Sequence, residues 1–325
     1  MNVSGLAWAL TIGLVLAILL TDLALVSRRP HKPSVREATM VVAFFVALAI
    51  AFGALVWTVW GSQFAAEFYA GWLTEYSLSL DNLFVFVIIM ARFSVPAALQ
   101  QTVLLIGIIL ALVLRGGFIA AGAFVIERFS GVFFLFGAFL VWTAWQLLRG
   151  DDEESEFEEN ALIRWVGRVV TLTPDYHGAH LRVRVDGVRH WTPMLVVMIA
   201  IGTTDVLFAL DSIPAIFGLT QQPYLVFTAN AFALMGLVQL FFLLGGLIDR
   251  LRFLNVGLAV ILAFIGVKLI FEALGSNSLP FINGGEPVEW VPVIPVGVSL
   301  GFILVVLLVT AVASLLADRR EGARR

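Results

Sequence analysis

The stretch "EYSLSLDN", residues 75–82, runs directly into "LFVFVIIM", so Glu75, Asp81 and Asn82 stand among residues suited to lipid. A second stretch, "TTDVLFALDSIPAI" at 203–216, repeats the layout: a carboxylate, five residues, then an aspartate followed by a small polar residue. Glu75 corresponds to Asp205 and Asp81 to Asp211, with Ser212 in the place of Asn82. An ionisable residue at bilayer depth costs roughly 2.5–3.5 kcal/mol on insertion scales, so such residues face a cavity or a partner and mark function. Asp, Glu, Asn and main-chain carbonyls are hard oxygen donors that suit Mn2+, Mg2+ or Ca2+, whereas copper and zinc favour thiolates and imidazoles. The chain has no cysteine, and His31, His177, His180 and His190 all fall in polar connections. The chemistry these residues can do is to bind a hard divalent cation.

Other polar residues fall at a similar depth. Five carboxylates (Glu75, Asp81, Asp205, Asp211, Glu272) face two bases (Arg115, Lys268), and Asn230 adds an amide. A cavity so lined attracts a cation. With a rise of 1.5 Å per residue, Asp81 lies about 12 Å and Asp211 about 9 Å inside the membrane boundary. On a regular helix Glu75, Ser79 and Asn82 share a face, while Asp81 points about 120° away. Either the helix is distorted near Asp81 or the two acids do different jobs, and Asp205 and Asp211 pose the same choice. In the second case one acid of each pair binds metal while the other pairs with Arg115 or Lys268, or carries a proton. Pro214 lacks an N–H and so frees the carbonyl of Leu210 beside Asp211, the pattern of a broken transport helix. Glu272 and Lys268 are spaced for an i, i+4 ion pair. Asp22, in the first apolar run, reads as a structural acid, with proton coupling as its functional alternative.

These residues need membrane-spanning elements to hold them. The chain of 325 residues is 60% hydrophobic and 13% charged, and its apolar runs reach the roughly 20 residues that span a bilayer. The expectation is an all-α, polytopic membrane bundle of nine spans, near 6–26, 40–60, 73–92, 98–120, 130–148, 193–217, 224–247, 253–274 and 292–316. Of the 20 basic residues, all but Arg115, Arg128 and Lys268 fall on one side of that topology. The positive-inside rule makes that side cytoplasmic, with the N-terminus outside, the C-terminus inside, and the inner or plasma membrane as the location. The first span lacks a basic leader and reads as uncleaved.

The two acidic stretches then lie on spans of opposite direction. Residues 73–148 and 193–274 form two inverted three-helix repeats within a single domain, a construction that places binding sites near the membrane midplane. Paired glycines (Gly116 with Gly117, Gly245 with Gly246) are expected to let helices approach closely. The 149–192 connection is a cytoplasmic loop that carries the acidic run "DDEESEFEEN" and, in "RVRVDGVRH", a turn or hairpin. The run reads as a solvating segment. No nucleophile–histidine arrangement lies in the membrane and no phosphate-cradling loop occurs, so neither an enzyme, a primary pump, a prosthetic group nor a nucleic-acid partner is expected.

The segments "TEYSLSLDNLFVF", "ALVLRGGF", "TTDVLFALDSIPAIFGLT", "TANAFALMGL" and "LAVILAFIGVKLIFEAL" together resemble the TerC family of integral membrane proteins, including its Alx branch. The resemblance covers nearly the whole chain. It implies a LysE-like, inverted-repeat protein of metal homeostasis that chiefly exports Mn2+; the oxygen donors by themselves leave Ca2+ as the alternative ion. It also implies that the family's acidic motifs fall on Glu75, Asp81 and Asn82 and on Asp205, Asp211 and Ser212, with polar helix positions at Asn230, Arg115 and Lys268. Two residues depart from the family pattern: Gly202 stands where many relatives carry a glutamate, and Val238 where an arginine often follows. The resulting expectation is a secondary transporter that exports divalent metal cations from the cytoplasm, binding them among Asp81, Asn82, Asp205, Asp211 and Asn230, with Glu75 a further candidate ligand. The alternatives are a membrane scaffold that assists insertion or metal loading of exported proteins through secretion-machinery contacts, and a role tied to tellurite resistance.

Overall fold

The computed structural model describes residues 1–28, 33–128, 131–149, 173, 175–185, 188–244, 253–275, 282–288 and 290–322. The helices are α1 (Gly5–Arg28), α2 (Val35–Trp60), α3 (Ser62–Arg92), α4 (Ala97–Arg128) and α5 (Val132–Arg149). A hairpin of β1 (Arg182–Val185) and β2 (Val188–Trp191) precedes α6 (Pro193–Phe217), α7 (Pro223–Leu234), α8 (Leu237–Leu244), α9 (Leu254–Gly275) and α10 (Val296–Gly322). Helix is the natural state for these runs, because in lipid every backbone N–H and C=O must find its partner within the segment. Among the described residues eight spans are long and apolar enough to cross a membrane, with α7 and most of α8 counted as one. They correspond to eight of the nine expected spans, and the ninth, expected over 73–92, falls within α3, which is not one of the eight. The acidic run at 151–159 lies outside the described residues.

Local signals set several boundaries. Ser34 caps α2: its hydroxyl accepts from the Glu37 N–H at 3.2 Å, and its own N–H donates to the Glu37 carboxylate at 3.4 Å. This reciprocal pair satisfies two amides that a helix start otherwise leaves open. Pro193 opens α6, where its missing N–H costs nothing. Helix α3 starts at Ser62, well before the expected residue 73, and its 31 residues extend about 46 Å. The polar residues Gln63 and Glu67 hid its first turns from a hydropathy reading.

Helix α3 is the hub. It packs against α2, α6, α7, α8, α9 and α10. Phe52, Phe68 and Phe232 join α2, α3 and α7 in an aromatic cluster, and Trp8 brings α1 to Tyr224 and Phe227 of α7. A second core layer gathers Leu140 from α5, Leu262 and Ile265 from α9, and Ile303 from α10.

The most extensive helix–helix contact is α5 on α9, and its cause is specific. A Cβ at Gly137 would lie 2.7 Å from the Gly266 carbonyl oxygen, and one at Gly266 would lie 2.8 Å from the Gly137 carbonyl oxygen. The two backbones touch where both side chains are absent, as small residues allow in membrane bundles. The glycines expected to do this behave differently: Gly117 faces open space and Gly116 has only Phe227 at 3.8 Å, while Gly245 and Gly246 lie outside the described residues.

The seventh span is broken. Met235 closes α7 in extended conformation and Gly236 has φ +86°, so the helix restarts as α8. A Cβ at Gly236 would also sit 3.2 Å from Phe45. The expected break at Pro214 is absent, since α6 continues through that residue to Phe217. A substitution of Gly137→Val is expected to destabilise the detergent-solubilised protein by about 1–3 kcal/mol through overpacking. Gly117→Val, where there is room, serves as the control that leaves the thermal midpoint unchanged.

Candidate cation site

Helices α3, α4 and α6 meet at Arg115, which has no exposed surface. Its Nη1 forms an ion pair with Oε1 of Glu75, also fully buried. On the other side Nη2 donates to Oδ1 of Asp205 at 3.1 Å and Nε donates to Oδ2 at 3.4 Å, a bidentate grip. Nη1 also reaches the Ser212 hydroxyl at 3.4 Å. The fork of a guanidinium fits a carboxylate in this way, and the charge-assisted bonds gain strength in a dry interior. Glu75 and Asp205 hold corresponding places in the two acidic stretches. A single arginine thus ties together the first acid of each.

This answers the question of division of labour for these two acids. Both α3 and α6 are regular helix across residues 75–82 and 205–212, so no distortion brings positions 75 and 81 to one direction. The helical register keeps them about 120° apart. Glu75 and Asp205 are engaged with the arginine. The side chains of Asp81, Asn82 and Asp211 lie outside the described ones.

Helices α3 and α7 also carry buried polar atoms without a hydrogen-bond partner among the described residues. They include Thr74 Oγ1, Glu75 Oε2, Ser79 Oγ and both amide atoms of Asn230. Asn230 comes from α7, which packs against both α3 and α4. Orphaned buried polar groups are rare in native proteins and call for water or an ion. Three of them, on α3, are oxygens, and Asn230 contributes a fourth. One guanidinium, that of Arg115, faces two buried carboxyl groups. Among the described side chains, which do not include Asp81 and Asp211, no three carboxylates or imidazoles converge tightly enough to hold a metal.

Lys268 and Glu272 do not belong to this cluster, contrary to the expectation of one polar level. Lys268 Nζ donates to the Gly218 carbonyl at 2.6 Å, at the end of α6. Glu272 accepts from Gln221 Nε2 at 2.5 Å. Both line a separate cavity of about 1120 Å³ between the start of α3, the ends of α6 and α9, and the approach to α10. Glu67, which sequence reading passed over, lines it too and accepts from Thr220 Oγ1 at 2.6 Å and Gln63 Nε2 at 3.2 Å. Glu67 is a third acid on the same helix as Glu75 and Asp81, two turns before Glu75 and ahead of the expected start of the span at 73. Asp22 is half-buried on α1, and no described contact joins it to Arg115. Gly202 packs against Leu110, where a Cβ would meet a methyl at 3.0 Å, and Val238 is buried.

Removal of the arginine alone strands two buried acids. Arg115→Met is expected to cost about 3–5 kcal/mol, as breaking buried ion pairs does. Adding Glu75→Gln and Asp205→Asn to it should restore much of the loss, which thermal unfolding in detergent will measure.

The chain matches the model of the integral membrane protein TerC family over residues 60–322. It is 50% identical over 323 residues to an uncharacterised membrane protein of Mycobacterium tuberculosis, a match covering 98% of this chain and 81% of that protein. An uncharacterised membrane protein of Myxococcus xanthus is 41% identical over 262 residues, 81% of this chain and 82% of that protein. The putative membrane-bound redox modulator Alx of Escherichia coli is 35% identical over 340 residues, covering 100% of this chain and 99% of that protein. No solved structure matches. The family match over most of the chain, on a bundle whose polar residues gather inside its apolar helices, places this protein in the TerC family of integral membrane proteins.

Proposed function

We propose that this protein is a secondary transporter that exports divalent metal cations, Mn2+ foremost, across the inner or plasma membrane. The observation that carries the reading is the charge balance around Arg115. Two buried carboxylates share one guanidinium, so the centre of the bundle is already one negative charge in excess before Asp81 and Asp211 are counted. Unmatched negative charge in a dry, lipid-enclosed interior favours a cation. Unpartnered oxygens at Thr74, Ser79 and Asn230 are ligands of the hard class that Mn2+ and Ca2+ prefer.

In this reading Glu75, Arg115, Asp205 and Ser212 form the fixed frame, and the ion is held by Asp81, Asn82, Asp211 and Asn230. The carbonyl of Leu210, which Pro214 cannot bond, and those left open where α7 ends at Met235 are further oxygen donors. A broken helix beside a polar centre is the arrangement transporters use for ion sites. Packing supports the inverted repeat: α3 contacts α7 as α6 contacts α4, and Gly137 meets Gly266 reciprocally across what would be the two-fold axis. The N-terminus is outside and the C-terminus cytoplasmic, with basic residues on the inner side. The redox role in the name of the Alx relative cannot pass through thiols of this sequence, which has no cysteine.

The test is purified protein in liposomes that enclose an Mn2+-quenched dye. Each of Asp81→Asn and Asp211→Asn removes a charge-assisted ligand worth about 1.5–3 kcal/mol, so the initial rate should fall by about tenfold or more. Wild-type rates in both variants, with protein present in the membrane, would remove these residues from the ion path. Failure of the wild-type protein to move Mn2+ or Ca2+ unaided would reject the transporter reading.

A further inference from the structure

The hairpin between α5 and α6 carries a basic, aromatic face that transport does not use. Its register pairs Arg182 with Trp191 and Arg184 with Arg189. Alternation along a strand puts these four residues on one face and Val183 and His190 on the other. Arg182, Arg184 and Arg189 are exposed, while Val183 and His190 are half-buried. The Arg182 guanidinium lies 3.8 Å over the Trp191 ring. No carboxylate among the described residues pairs with Arg182, Arg184 or Arg189.

The hairpin is held against the end of the bundle. Thr192 donates its N–H to the Leu181 carbonyl at 3.0 Å and its hydroxyl to the His180 carbonyl at 2.6 Å. Thr173 donates to the Trp191 carbonyl at 2.8 Å, and the Tyr176 hydroxyl to the Phe93 carbonyl, just past α3, at 2.7 Å. Trp191 stands two residues before α6 begins at Pro193, at the level where indoles mark the membrane–water border. The connection 150–192 has no apolar run long enough to cross a bilayer, so α5 ends on the same side. There Arg149 lies 3.6 Å over Trp145, a second arginine stacked on a border indole.

We propose that this face docks onto anionic phospholipid headgroups of the membrane in which the protein sits. Two arginines directly opposite each other repel across the strands, and a phosphate between them reverses that repulsion. Guanidinium forks hold phosphate oxygens in pairs, and Trp191 and Trp145 set them at headgroup depth. The surface, its height and its charge fit a lipid phosphate tethered in the leaflet rather than a freely diffusing one.

Because the chain has no cysteine, His177→Cys, at an exposed position beside the hairpin, gives a unique site for an environment-sensitive fluorophore on the full-length protein. In neutral-lipid mixed micelles, titration with phosphatidylglycerol should change the signal, and titration with phosphatidylcholine should not. With roughly fivefold in binding per arginine near a charged surface, Arg184→Gln/Arg189→Gln should raise the phosphatidylglycerol midpoint by about 30-fold. About 0.5 M salt should weaken the wild-type response, and Arg184→Lys/Arg189→Lys should keep most of it. An unchanged midpoint in the glutamine pair would overturn the proposal. So would equal displacement by inorganic phosphate, which would mark a soluble-anion site, or loss in the lysine pair as complete as in the glutamine pair, which would mark a purely structural role.

Discussion

A guanidinium with no exposed surface, inside a bundle of lipid-suited helices, is the constraint on which the centre of this protein depends. Desolvating one such ion costs several kcal/mol, and only close, well-formed contacts with opposite charge offset that. Arg115 obtains them from Glu75 on α3 and Asp205 on α6. Three helices from both halves of the chain are thereby fixed in rotation as well as position. Once α3 and α6 are turned to present these acids to Arg115, the helical period decides where positions 81 and 211 stand. Positions 75 and 205 and positions 81 and 211 therefore stand in different directions, though they alternate along the same two helices.

Lipid supplies no hydrophobic drive between apolar helices, so contact shape must hold the bundle together. The reciprocal approach of Gly137 and Gly266 serves this purpose where α5 meets α9. On the other side, Gly236 permits both the break between α7 and α8 and the seating of Phe45 of α2 against it. A regular helix could do neither. The bundle thus combines a close-packed α5–α9 contact with a discontinuous span seated on α2.

The polar residues divide into two stations rather than one. Lys268, Glu67 and Glu272 line a cavity at one end of the bundle, apart from the Arg115 cluster. Lys268 spends a hydrogen bond on the last turn of α6 at Gly218, the same helix that carries Asp205 deeper in. Helix α3 likewise carries Glu67 at the cavity and Glu75 at the centre, two turns apart. The two stations are thus joined through the same helices.

The sequence by itself determined the class of protein. Its apolar runs could be satisfied only by membrane-crossing helices, and its two acidic stretches announced a paired polar centre, because charge in such runs is too costly to be incidental. All nine expected spans were legible from hydropathy. The start of α3 was not, because its first turns carry the polar residues Gln63 and Glu67, of which Glu67 is buried inside the bundle. Spacing could pose the choice between a distorted helix and divided roles for Glu75 and Asp81, yet could not decide it. Only the tertiary structure decided that Arg115 takes Glu75 and Asp205, that Lys268 belongs to another cavity, and that the break falls at Gly236 and not at Pro214. Each of those outcomes depends on which helices come within a few ångströms of one another, a distance that periodicity along one chain does not encode.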